Sequence, residues 1–121
     1  MTPAEVFEHH GQAVDAGDVE EILRDYAEDS VLLTPEGVFR GPRAMRPVFE
    51  RLVTELLPPG ESRFEMEQMA IEGDLVYIVW NSSSPRAEVS LGTDTFVVRE
   101  GKIVAQTWTA RIVSKTPRAT R

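Results

Sequence analysis

Asp94 and His10 are the two side chains of this sequence whose type and setting best suit proton transfer. Asp94 lies mid-way along a β-prone run, Leu91-Gly92-Thr93-Asp94-Thr95-Phe96-Val97-Val98-Arg99, among apolar and hydroxyl neighbours. Side chains alternate between faces along a strand. If Phe96 and Val98 face the interior, Asp94 faces it too, and Ile103, Ala105 and Thr107 share that face across the following turn. A carboxyl group in an apolar cavity has its pKa raised and can act as acid, base or hydrogen-bond donor. The alternative is a bulge near Gly92 that turns Asp94 out to water. His10 adjoins His9, so only one of them can face the sheet. His10 precedes Ala13 by three and Val14 by four, which puts it on the inward stripe of a helix. A histidine titrating near neutrality beside an acid makes a proton-transfer pair; the plainer reading is a surface or hydrogen-bonded core histidine. Two histidines without a third ligand fall short of a metal set. Tyr26, Phe39, Phe49, Phe64, Trp80 and Trp108 suit the walls of an apolar pocket, though aromatics at such spacings more often form a core or a subunit interface. Arg111 suits an anionic group or an ion pair.

Composition narrows the rest. The chain has 121 residues, with 20 acidic against 13 basic side chains and a formal net charge of -7. That balance argues against nucleic acid and against anionic lipid as partners. There is no cysteine, hence no disulfide framework and no thiolate chemistry, which fits a reducing cytoplasm. Met1-Thr2-Pro3-Ala4-Glu5 lacks the basic-then-apolar order of a signal peptide, and no apolar run approaches the roughly 18 to 20 residues that span a bilayer. Glycine-rich phosphate loops, nucleophile elbows and paired metal carboxylates are absent, so no cofactor is expected. The acids Glu20, Glu21, Asp25, Glu28 and Asp29 read as a solvated helix face.

The elements that must carry these residues read in order. Thr2-Pro3-Ala4-Glu5 starts a helix with a capping box, and Gly17 ends it. Asp18 starts a second, with Val19, Ile22, Leu23 and Tyr26 as its apolar stripe. A short strand over 31–34 turns at Pro35-Glu36-Gly37 and returns through Val38-Phe39-Arg40. A third helix follows Gly41-Pro42; Met45, Val48, Phe49, Leu52, Val53, Leu56 and Leu57 recur at helical spacing, with Pro47 in its first turn. Strands follow over 63–71 and 75–81. Then comes a long hairpin whose two-residue turn is Glu100-Gly101. Residues 115–121 read as a frayed tail of a single domain spanning 1–121. Helices segregated from strands imply an α+β fold: a curved antiparallel sheet wrapped around three helices, cone-shaped, with a pocket at the end the helices leave unfilled. Tyr77 and Trp80 fall on opposite faces of one strand. The outer face thus carries large apolar groups, and self-association as a homodimer would cover it.

Ala16-Gly17-Asp18, Tyr26-Ala27-Glu28-Asp29-Ser30, Gly41-Pro42-Arg43-Ala44-Met45, and Asp94-Thr95-Phe96 before Gly101-Lys102-Ile103 together resemble the nuclear-transport-factor-2-like superfamily. Within it the likeness is to ketosteroid-isomerase-like and SnoaL-like domains, over roughly residues 3–113. The resemblance implies the cone, a dimer through the sheet and a pocket at the mouth, but no one reaction. Carried over from the steroid isomerases, His10 falls on a tyrosine oxyanion donor, Thr34 on the general-base aspartate, Asp94 on a second oxyanion donor and Phe96 on a pocket phenylalanine. Threonine cannot take the base's role near neutral pH. The SnoaL-like cyclases place a His and an Asp near the tryptophan of the last strand; here Ala105-Gln106-Thr107-Trp108-Thr109 has neither. Of the Asp-Arg-Asp set of the epoxide hydrolases, Asp94 and Arg111 supply a part. The resulting expectation is a domain binding a small apolar molecule, with isomerase, cyclase or lyase chemistry on a carbonyl or hydroxyl compound. Asp94 and His10 would be catalytic, and Tyr26, Thr34, Phe39, Phe49, Trp80, Phe96, Thr107 and Trp108 would surround the ligand. The other expectation is a non-catalytic dimeric ligand-binding or accessory domain.

Overall fold

The structure, a computed structural model, describes residues 1–115. Helix α1 (Pro3–Ala16) opens with the expected capping box. Thr2 Oγ1 accepts from the Glu5 amide, and the Glu5 carboxylate accepts from the Thr2 amide. Asp18 caps α2 (Val19–Leu23) by accepting from the Glu21 amide. This second helix is shorter than its periodicity predicts. Tyr26, read as part of its apolar stripe, instead begins β1 (Tyr26–Thr34). The cause is a long-range bond: the Ile103 amide donates to the Asp25 carbonyl at 2.7 Å and draws the chain into the sheet. β2 (Gly37–Arg40) returns antiparallel, with Phe39 opposite Leu32. Gly41 and Pro42 form the first turn of α3 (Gly41–Arg51) rather than preceding it, so Pro47 sits inside the helix, not in its first turn. One wide turn, Leu52–Leu56, extends this helix, with the Leu57 amide bonded to the Leu52 carbonyl.

Four long strands complete the chain: β3 (Arg63–Glu72), β4 (Leu75–Ser83), β5 (Ala87–Arg99) and β6 (Lys102–Ser114). The sheet order is β2-β1-β6-β5-β4-β3, antiparallel throughout except for β1 against β6. Its concave face buries Val76, Ile78, Trp80, Val89, Phe96, Val98 and Ile103 against Val6, Ile22, Met45, Phe49 and Leu56 of the helical segments. Leu75, Tyr77 and Leu91 stand exposed on the opposite face. The β5–β6 turn takes positive φ at both Glu100 (51°) and Gly101 (76°), the backbone that matches strand twist in a two-residue hairpin.

Two bulges decide which side chains face inward. In β5, the register shifts at Ser90, between Val89 and Leu91. That point lies on the far side of Gly92, so the alternation from Gly92 through Asp94 and Phe96 to Val98 is unbroken. In β6, Val98 pairs with Ile103 but Val97 pairs with Ala105, which leaves Val104 as an extra residue. The expected inward set of Ile103, Ala105 and Thr107 is corrected accordingly: past the bulge, Gln106 and Trp108 face inward and Thr107 is exposed. Lys115, expected in a frayed tail, is tied to Glu88 and Ser83 at 3.0 Å each; the rest of that segment lies outside the described residues. No helix among the described residues is long and apolar enough to cross a membrane.

Candidate functional site

Asp94 faces the concave side, 8% exposed, with Trp108 directly across on β6 and Ile78 on β4. Its carboxylate accepts from Trp80 Nε1 at 2.8 Å and from Gln106 Nε2 at 2.9 Å, one donor on each oxygen. Gln106 is oriented in turn by Tyr26, whose hydroxyl donates to Gln106 Oε1. The Trp80 indole reaches Asp94 because it lies flat over Gly92: a Cβ there would stand 2.5 Å from Trp80 Cζ2 and 2.8 Å from Cδ2. Burial pushes the Asp94 carboxyl up to about 6, and the two hydrogen bonds oppose the rise without cancelling it. A group poised there is available in both protonation states close to neutrality.

His10 on α1 is 6% exposed, and its ring meets the edges of Phe96 at 5.4 Å and of Tyr26 and Phe49 at 6.1 Å each. Burial, aided by the neighbouring His9, holds its pKa down at about 4, so the imidazole is neutral at physiological pH. Its Nδ1 is buried without a hydrogen-bond partner among the described residues, and so is Trp108 Nε1. The expected His10–Asp94 pair is not hydrogen-bonded; Trp80 and Gln106 occupy the carboxylate instead.

Asp94 and His10 line one cavity of about 360 Å³, together with Phe49, Trp80, Phe96 and Trp108. It opens between the exposed α1 residues Glu8, Gln12 and Asp15 and the half-exposed Phe64 and Met66 of β3. Tyr26 lies behind this wall and acts on it through Gln106. Three expected wall residues are elsewhere. Thr34 borders a separate hollow with Glu36, Arg51 and Trp108, and its hydroxyl accepts from the Glu36 amide. Phe39 packs on the core from the β2 edge, and Thr107 is on the outer face because of the Val104 bulge. Arg111 is exposed and outside the cavity. Gln106 is the residue the sequence reading missed. Nothing local marks it, since its inward position depends on that bulge.

A second polar cluster sits away from the cavity. His9 Nδ1 contacts Asp25 at 2.8 Å and Nε2 contacts Glu21 at 2.9 Å. Asp25, read as part of a solvated face, is buried. The two hydrogen bonds raise the His9 pKa, while burial raises that of Asp25. Among the described residues, no three or more His, Cys, Asp or Glu side chains are placed to hold a metal ion.

A family model for the SnoaL-like domain matches residues 7–106. No curated protein matches the chain in sequence. Solved structures match in fold. One is described as a candidate polyketide cyclase from Sinorhizobium meliloti, with TM-score 0.71 and 16% identity over 86% of this chain and 93% of that one. Another is described as a candidate ketosteroid isomerase from Kribbella flavida, with TM-score 0.72 and 13% identity over 97% and 83%. A de novo designed protein with a curved β-sheet reaches TM-score 0.74 at 17% identity over 90% and 84%. A likeness shared with a designed scaffold is a likeness of fold alone.

Proposed function

The chain belongs to the SnoaL-like domain family, and on that footing we propose that its cavity takes up a small, largely apolar molecule whose carbonyl or hydroxyl group meets Asp94. The observation that carries this reading is the Asp94 carboxyl itself. It is buried on the cavity wall, poised at about 6, and held in one orientation by Trp80 and Gln106. With a carbonyl compound, Asp94 takes a proton from the adjacent carbon. The C–H electron pair moves toward the carbonyl oxygen, and Asp94 returns the proton to the enolate. The neutral His10 serves as a hydrogen-bonding neighbour, not as a charged partner. Two copies pack through the outer sheet face, where Leu75, Tyr77 and Leu91 are exposed.

The reading is tested by NMR of small ketones, enones and lactones incubated with the protein in deuterated water. Deuterium enters at the carbon beside the carbonyl, and Asp94→Asn abolishes the exchange. Exchange at an unchanged rate in that variant removes Asp94 from the role. A second reading, uptake without turnover, is favoured by one observation: among the described residues, no titratable side chain is hydrogen-bonded to Asp94 to relay its proton. Saturable binding of the same compounds without exchange would support it.

A further inference from the structure

Among the described residues, β2 and β3 are the two edges of the sheet, and they are unlike. β2 has four residues, whereas β3 has ten and all ten are exposed. An edge strand presents unpaired N–H and C=O groups, and proteins blunt such edges with short strands, lysine or proline. β3 contains neither lysine nor proline. It carries four large apolar side chains instead. Phe64, Met66, Met69 and Ile71 stand opposite the buried Ser82, Trp80, Ile78 and Val76 of β4, which puts all four on the concave face, yet they are 39–51% exposed. Copies packed through the outer face, where Leu75 and Tyr77 lie, leave this stripe uncovered.

The strand is complementary to itself. Glu67 is an extra residue between Met66 and Gln68 and faces outward, bonded to Asn81 Nδ2 at 2.6 Å. The faces of β3 from Arg63 to Glu72 therefore run out, in, out, in, out, out, in, out, in, out, the same from either end. Opposite residues of an antiparallel pair share a face. A second copy of β3 thus fits with Arg63 against Glu72, Phe64 against Ile71, Glu65 against Ala70, Met66 against Met69 and Glu67 against Gln68. The two-fold axis makes each pair twice. The bulge that breaks alternation against β4 meets the same bulge in the copy. A shift of one residue either way sets inward side chains against outward ones. No acid stands directly opposite another, and Arg63, whose approach to Glu65 is a long 4.0 Å, gains Glu72.

We infer that β3 is an interface to a second copy of this chain, the two edge strands pairing antiparallel with Met66 against the partner's Met69 and Arg63 against the partner's Glu72. Residues 116–121 contain no large apolar side chain to cover the stripe. Phe64 and Met66 also border the cavity opening, so the partner's Ile71 and the partner's Met69 prolong its apolar rim. Ten residues a side is roughly half of a standard interface. The contact is accordingly weak, and it adds to packing through the outer face without replacing it.

Sedimentation equilibrium of the whole protein tests this in a Tyr77→Asp background, which removes packing through the outer face. Over roughly 10 µM to 1 mM, a range suited to so small a contact, that variant is expected to pass from monomer to dimer. Adding Arg63→Glu or Glu72→Arg weakens the step about tenfold each, because two attractions become two repulsions. The two together restore it. The single changes move net charge in opposite directions, so a general charge effect cannot weaken both. Met69→Lys abolishes the step. A monomer at every concentration, or a double substitution that fails to restore, overturns the inference. A dimer that persists at the dilute end and is dissolved by either single change supports β3 over the outer face. Cross-linking gives an answer independent of the outer face. The chain has no cysteine, so otherwise native chains carrying Met66→Cys and Met69→Cys are mixed and oxidised. The mixture is expected to form a disulfide-linked dimer faster than either variant alone, and equal rates overturn the pairing.

Discussion

Replacing Gly92 with alanine is expected to disable the site without replacing any residue that lines the cavity. The new Cβ would lie 2.5 Å from Trp80 Cζ2 and 2.8 Å from Cδ2, and closer still to Cε2. That is roughly 1 Å short of van der Waals contact, and the indole, packed on Phe64 at 5.5 Å between centroids, must shift by that amount. A 1 Å shift stretches the 2.8 Å bond from Trp80 Nε1 to Asp94 out of hydrogen-bonding range. Overpacking contributes about 1–3 kcal/mol and the lost bond to a charged group about 1.5–3 kcal/mol, so the variant is destabilised by roughly 2.5–6 kcal/mol. Because the Trp80 bond holds the Asp94 pKa down, that pKa climbs further above about 6. Urea denaturation gives the first quantity, and the pH titration of the Asp94 carboxyl by carbon NMR gives the second. Trp80→Ala supplies the control: once the indole is gone, Gly92→Ala costs little, and a double-mutant cycle isolates the coupling. If Gly92→Ala loses less than about 1 kcal/mol and leaves the Asp94 titration unmoved, the glycine does not position the acid.

Three further outcomes are expected. A raised carboxyl pKa means the folded state holds its proton more tightly than the unfolded one, so this contribution to stability is lost as pH rises. From the ordinary carboxylate value of 3.8 to about 6, the loss between about pH 4 and about pH 8 is roughly 2 kcal/mol, and it disappears in Asp94→Asn in parallel urea denaturations. His9 behaves with the usual histidine sign: its pKa is raised by Asp25 and Glu21, so its contribution is full below the unfolded value near 6.5 and fades as pH rises through the raised value. His9→Gln flattens that part of the pH–melting-temperature profile. Tyr77→Asp, on the exposed outer face, converts a dimer to monomers in sedimentation equilibrium; an unchanged mass in that variant would exclude this face as the interface.

Much of the fold was written locally. Thr2, Glu5, Gly17 and Asp18 cap the helices as their types dictate, because the bonds involved span only a few residues. Glu100-Gly101 makes the hairpin turn, and the β5 alternation puts Asp94 on the same side as Phe96. The local signals failed where a distant segment intervened. Tyr26 has helical spacing but joins the sheet because β6 runs parallel beside it. His9, the outward member of its pair, turned out to bridge two acids, one of them buried, since only folding brings α1 onto the start of β1.

The sequence alone put Asp94 on the same strand face as Phe96 and Val98, since alternation needs nothing beyond the strand itself, and left open whether a bulge near Gly92 turned it out. Only the tertiary structure decided what that acid meets. One surplus residue at Val104 reverses the facing of the β6 residues beyond it, which sends Thr107 out and brings Gln106 and Trp108 to Asp94. A period of two is overturned by a single insertion, and the insertion is fixed by pairing between strands, not by any residue type at that place.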